Sequence, residues 1–227
     1  MKKHITLAIS LALLSTTASA AYLTGNYQIH DKKDNAYTVE MGHTFETNTT
    51  FWMEIEGSLG SGTMNTTNTM FALEQKMFDA DEGRFSMSVG LHYLMIDGQT
   101  YVDEDGDTLA NAQYRPAVMA SYNWDNGIYY SGRFRLHYDQ DSGDFLENRL
   151  DTAVGWRGDS YGLQYKNIYL DRNTGADNSF DHEVRYTHFF ENSAWAPYVE
   201  YRNQPMMTNG IEETRNSAFV IGATVGF

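Results

Sequence analysis

The residues with the most chemistry to offer are arginines set at alternate positions. Between Ile128 and Asp139, Ser131, Arg133, Arg135, His137 and Asp139 alternate with Tyr130, Phe134, Leu136 and Tyr138. A period of two puts the charged set on one face of a strand and the apolar set on the other. A guanidinium is permanently charged and planar, and its fork donates two parallel hydrogen bonds to a carboxylate. The chemistry implied is recognition of anions. The same phase, carried along the chain, places Arg84, Arg115, Arg133, Arg135, Arg149, Arg157, Arg185 and Arg202 on one face, eight of ten arginines, together with Lys76 and Lys166. Acids share that face: Glu40, Glu54, Glu56 and Glu74 early in the chain, then Glu147, Asp151, Asp181, Glu183 and Glu200 among the arginines. Some of these must be paired or hydrated. A surplus of guanidinium groups over a solvated lumen is the preferred reading, with the eight arginines and Lys166 as candidate solute-binding residues.

Those side chains need strands to carry them. Twelve segments of roughly ten residues are legible, the length that a tilted membrane strand needs: 21–30, 36–46, 50–60, 68–78, 84–96, 113–124, 128–139, 145–157, 160–170, 180–190, 194–203 and 217–227. No helical period survives across any window. Short connections rich in Asn, Gly, Asp and Ser, such as 125–127, 158–159 and 191–193, alternate with generally longer polar ones, including 97–112, 171–179 and 204–216. Short turns on one side and long loops on the other suit a membrane barrel, and an even strand count lets the first strand pair with the last.

The apolar faces agree. Trp124, Trp156 and Trp195, with Phe45, Phe85, Phe190 and Phe227, lie beside short turns; Tyr37, Tyr93, Tyr114, Tyr138, Tyr169, Phe180, Tyr201 and Phe219 lie at the other ends. Two aromatic belts around an apolar band belong to a membrane surface, whereas a soluble barrel would be polar outside. Phe219, Ile221, Ala223, Val225 and Phe227 form a last strand that resembles the assembly signal of bacterial outer-membrane barrels. The expected fold is therefore all-β, a transmembrane antiparallel β-barrel of twelve strands.

The first twenty residues read as a signal peptide, with Lys2 and Lys3, the apolar run Ile5–Leu14 and the small site Ala18-Ser19-Ala20. Residues 21–227 then form the barrel. Without Lys2 and Lys3 the basic count falls from 16 to 14 against 30 acids, a net charge near −16. Nucleic acid is not an expected partner; lipid, lipopolysaccharide and the barrel-assembly machinery are. The chain has no cysteine, so it forms no disulfide. The acidic run Asp103–Asp107 lacks calcium-loop spacing, and no metal or other cofactor is expected. Tyr22, Trp52, Tyr129 and Tyr198 point inward, where such rings stack on sugars or, more often, fill space.

Length, layout and two stretches, Tyr37-Thr-Val-Glu-Met-Gly-His-Thr-Phe45 and Trp195-Ala-Pro-Tyr-Val-Glu-Tyr201, resemble the small monomeric oligogalacturonate-specific porins of KdgM type, which include a sialic-acid channel. The resemblance implies passive uptake of acidic oligosaccharides through an arginine-lined pore in the outer membrane. This chain departs from that pattern in its scarce lysines and its lumen acids. The alternatives are a barrel enzyme or a plugged structural or adhesion barrel. A phospholipase would need a His-x-Ser arrangement that His43, His182 and His188 lack, and His137 with Asp139 is the one weak candidate for protease-like chemistry.

Overall fold

Alternation of apolar and polar residues can bury nothing as a lone strand, so the segments must pair edge to edge until the sheet closes. A computed structural model describes residues 20–60, 65–80, 83–96, 101–102, 108–109, 112–173, 175–208 and 211–227. The strands are β1 (Ala21–His30), β2 (Ala36–Thr44), β3 (Thr49–Ser58), β4 (Asn65–Ala80), β5 (Phe85–Ile96), β6 (Tyr101–Val102), β7 (Thr108–Leu109), β8 (Ala112–Asn123), β9 (Ile128–Asp139), β10 (Phe145–Arg157), β11 (Tyr161–Arg172), β12 (Ser179–His188), β13 (Trp195–Thr208) and β14 (Ile211–Gly226). Twelve of them form a closed barrel in the order β1-β14-β13-β12-β11-β10-β9-β8-β5-β4-β3-β2, and β6 and β7 make a separate small hairpin between β5 and β8. Each pairing is antiparallel. Closure runs through Tyr22↔Gly226 to His30↔Ala218, and the Phe227 amide donates to the Ala21 carbonyl at 2.9 Å.

The expected leader falls outside the described residues except for Ala20, as does the acidic run 103–107. Short turns use backbone that few residues adopt: Asn48 and Asn192 have φ of 61° and 58°, and Gly127 has 83°. A Cβ on Gly127 would lie 2.3 Å from the Arg157 carbonyl oxygen, so the Asp-Asn-Gly turn needs its glycine.

The outer face is apolar. Trp124, Phe190 and Trp195 are exposed near the short turns; Tyr114, Phe180, Tyr201 and Phe219 are exposed near the opposite ends; Leu73, Val118, Phe134, Val154 and Val184 lie between. Trp156 faces out as well, half-buried, with its indole donating to the Asn126 carbonyl at 3.0 Å.

Strand pairing enters expected loops: 97–112 holds the β6–β7 pair, and β13 and β14 extend into 204–216. The segment 204–216 continues β13 and β14, with Gln204↔Asn216, Pro205↔Arg215 and Met206↔Thr214 paired before a register shift at Met206/Met207. Alternation marks a strand only where its two faces see different solvents; beyond the membrane both see water, and pairing continues without a sequence signal. The Arg215 guanidinium secures the extension by donating to the Phe180 and Asn203 carbonyls.

Candidate functional site

The inner residues of β1–β5 and β8–β14 enclose a cavity of about 890 Å³. The expected phase places most of the candidate residues in it: Arg115 (β8), Arg133 and Arg135 (β9), Arg149 (β10), Lys166 (β11), Arg185 (β12) and Arg202 (β13) all contribute to its wall. Two candidates stand elsewhere. Arg84 precedes β5 and belongs to the short turn, 3.4 Å from Asp125. Arg157, the last residue of β10, lies over the Phe189 ring at 4.6 Å and lines a second cavity of about 730 Å³ at the short-turn mouth. Strand phase is legible from alternation, but depth along the pore depends on where each strand ends. Lys76 is likewise at that mouth, 3.0 Å from Asp79, just before the register shift between Lys76 and Phe78.

Register brings opposite charges together on the later strands. Asp151 holds two guanidiniums, Arg135 at 2.6 Å from β9 and Arg149 at 2.7 Å from its own strand. Arg135 and Arg149 are direct cross-strand partners, so this carboxylate offsets a repulsive pair. A second series runs across three strands: Lys166 lies 3.2 Å from Glu183, which faces Arg202 across the next pairing, and Glu200 bonds both Arg202 and Arg185, the latter at 2.6 Å. Arg135 and Glu200 are nearly inaccessible, at 4% and 1% exposure. Charges that deeply placed need partners, and they have them.

Arg115 and Arg133 differ from these. Arg115 donates from Nε and Nη2 to the Gln113 oxygen at 2.9 and 2.7 Å, and no carboxylate pairs with it among the described residues. Arg133 reaches from β9 to Glu74 of β4, three strands away, at 3.2 Å. That oxygen also accepts from Trp52 Nε1 at 3.0 Å and lies 3.0 Å from His92 Nε2. The Arg133–Glu74 pair is thus a strut across one side of the lumen.

Of the remaining inner residues, His92, Met70, Ala72 and Leu94 carry no sequence signal of their own, whereas His137, Tyr22, Trp52, Tyr129 and Tyr198 follow the expected strand phase. His92 and His137 are fully buried; His137 Nδ1 sits 2.8 Å from Glu147, and Arg172 reaches the other oxygen of that carboxylate at 3.5 Å. Asp139, paired in thought with His137, instead accepts from the Asp141 and Ser142 amides at the loop. Trp52, Met70, Ala72 and Leu94 form an apolar cluster on β3–β5, with Tyr22 and Ile96 against it. Tyr22 and Tyr198 line the cavity; Tyr129 accepts a hydrogen bond from Gln164 at 2.9 Å.

The charged lining of the main cavity is close to balanced. It contains eight basic residues (Lys33 and the seven named above) and seven acidic ones (Glu40, Glu54, Glu56, Glu74, Asp151, Asp181 and Glu183). Such a wall cannot act as a uniformly positive tube. Any preference for anions must come from where the charges sit.

The fold has solved counterparts. The KdgM porin superposes with a TM-score of 0.66 at 14% identity, covering 91% of this chain and 99% of that one. The NanC porin gives 0.64 at 14% identity, covering 90% and 98%, and an outer-membrane channel from Pseudomonas putida F1 gives 0.64 at 12%, covering 94% and 97%. No curated protein matches the chain. The sequence model described as oligogalacturonate-specific porin protein (KdgM) matches residues 14–227, nearly the whole length, and the chain belongs to that family of outer-membrane porins.

Proposed function

We propose that the barrel conducts small anionic solutes, acidic oligosaccharides among them, along the wall formed by β8–β13. The observation that carries this is the placement of Arg115, Arg133, Arg149, Lys166 and Arg185 on one side of an open cavity, with Arg115 unpaired to any carboxylate among the described residues. A carboxylate passing this wall meets planar donors in succession. Arg84 and Arg157 are assigned to the short-turn mouth, where they bear on exit. A KdgM porin solved in complex with disordered oligogalacturonate supports the solute class.

The test is the reversal potential of the refolded protein in a planar bilayer under a salt gradient, with Arg115 and Arg133 both replaced by Glu. Arg135 is left intact because it neutralises buried Asp151. The variant should shift toward cation preference, and block by oligogalacturonate should weaken. The shift should shrink as salt rises, since the Debye length falls from about 10 Å at 0.1 M to about 3 Å at 1 M. A wild-type protein without conductance, or a folded variant with unchanged reversal potential, overturns the proposal.

A further inference from the structure

Net charge in the lumen is segregated: β2–β4 bring acids without bases to the cavity wall, whereas on β8–β13 the bases outnumber the acids. Glu40 and Glu54 are direct cross-strand partners on β2 and β3, and Glu56 follows on the same inner face. Like charges in that position repel. No lysine or arginine pairs with these three carboxylates among the described residues; Glu56 accepts only a long contact from Asn68 at 3.5 Å. The later strands, by contrast, ion-pair most of the charges they bring inward, Arg115 and Asp181 being the exceptions among the described residues.

Topology sets the acidic group opposite the basic one. From β3, the strands β4, β5, β8, β9 and β10 lead to β11 in one direction, and β2, β1, β14, β13 and β12 lead to it in the other. β3 and β11 are therefore diametrically opposed. Glu40, Glu54 and Glu56 line the same cavity as Arg149 of β10, Lys166 of β11 and Arg185 of β12. The field therefore runs across the pore, and low-dielectric walls concentrate it.

This inference rests on the conducting-pore reading above and concerns its selectivity. We infer that Glu40, Glu54 and Glu56 determine specificity, by making the lumen favour solutes with a cationic group at one end and an anionic group at the other. The chemical class is zwitterionic, including acidic saccharides that also bear a free amine. Such a solute turns its amine to β2–β3 and its carboxylate to β10–β12, and meets attraction on both sides. A singly charged solute is held by one wall and repelled by the other. A neutral solute must displace oriented water and gains no charge pairing in return. The nearly balanced lining fits this arrangement, since anions are drawn to the β8–β13 side while the carboxylates of β2–β3 face them across the pore.

The experiment is swelling of proteoliposomes holding the full barrel, with two isomeric zwitterions as probes. ε-Aminocaproate carries its charges at opposite ends, and norleucine carries both groups on one carbon; mass and net charge are equal. Wild type should admit ε-aminocaproate faster than norleucine by about twofold or more. Glu40→Gln/Glu54→Gln/Glu56→Gln should bring the ratio near one while moving the reversal potential toward anions. Glu54→Gln alone, a gentler change, should shift both measures the same way by a smaller amount. Heat-modifiable migration of each variant verifies the barrel. Equal rates for the isomers in wild type, or a ratio that survives in the folded triple variant, overturns the inference while leaving anion conduction standing. A wild-type protein that admits neither probe and carries no current overturns both.

Discussion

On β9–β13 the lumen face is a lattice of ion pairs; on β2–β5 it is a packed apolar cluster beside Glu74, held by Arg133, and beside Glu40, Glu54 and Glu56, which have no ionic partner among the described residues. Both halves follow the same alternation and lie against the same lipid. They differ in how inward charge is accommodated. Asp151 and Glu200 each hold two guanidiniums, so the later strands are cross-linked through their side chains. On the early strands Trp52, Met70, Ala72 and Leu94 supply cohesion by packing, and Glu40, Glu54 and Glu56 add none. Charge on one side is therefore structural as well as electrostatic, while Glu40, Glu54 and Glu56 on the other have no ionic partner among the described residues.

The largest effect expected from this contrast separates two carboxylates. Glu200→Ala removes the carboxylate that Arg185 pairs with and one of the two beside Arg202, at a site with 1% exposure, and should cost about 3 kcal/mol. Glu54→Ala removes one member of a repulsive pair and should leave stability unchanged or slightly raised. Urea-dependent unfolding of the refolded proteins, followed by tryptophan fluorescence, measures both. Equal losses would erase the distinction between the walls.

Trp52 tests the packed side. Its ring lies edge-on to His92 with centroids 5.2 Å apart, and its Nε1 supports Glu74, the far end of the Arg133 strut. Trp52→Ala should cost about 3 kcal/mol and also raise single-channel conductance, because a large inner side chain is lost and the strut is loosened. A stability loss with unchanged conductance would place the constriction elsewhere in the pore.

Much of this was legible in the sequence because lipid enforces alternation. The strand phase of Arg115, Arg133, Arg135, Arg149, Lys166, Arg185 and Arg202 followed directly from the apolar residues between them. Depth and pairing did not. Arg84 and Arg157 have the same phase yet sit at the short-turn mouth, since nothing local marks where the cavity ends. Arg135 and Arg115 look alike in sequence, but only the register Arg149↔Arg135 brings Asp151 against the former. The β13–β14 extension was hidden for the reason that made the rest visible: outside the membrane, neither face needs to be apolar.

One device is common to both walls, and it sharpens the comparison at its smallest scale. A tyrosine ring lies over a glycine on the neighbouring strand at Tyr22/Gly42 on the early side and at Tyr198/Gly222 on the later side. A Cβ built on either glycine would come within 2.4 Å of the ring, so substitution by alanine must displace it. The rings differ in freedom. Tyr198 carries the Arg185 guanidinium over its ring, 4.3 Å from the centroid, and Arg185 is itself held by Glu200. An added Cβ at Gly222 would also crowd Asn26 Cβ at 2.8 Å. No cation covers Tyr22 among the described residues; its ring packs instead against the Trp52 cluster, which holds it by apolar contact alone rather than by an ion-paired guanidinium. Gly222→Ala should therefore cost about 2 kcal/mol and Gly42→Ala about 1 kcal/mol. Replacing Arg185 by Met, which cannot pair with Glu200, should narrow that difference by freeing Tyr198. If Gly42→Ala proves the costlier change, the ion-pair lattice does not stiffen its wall, and the contrast between the two halves is one of charge alone.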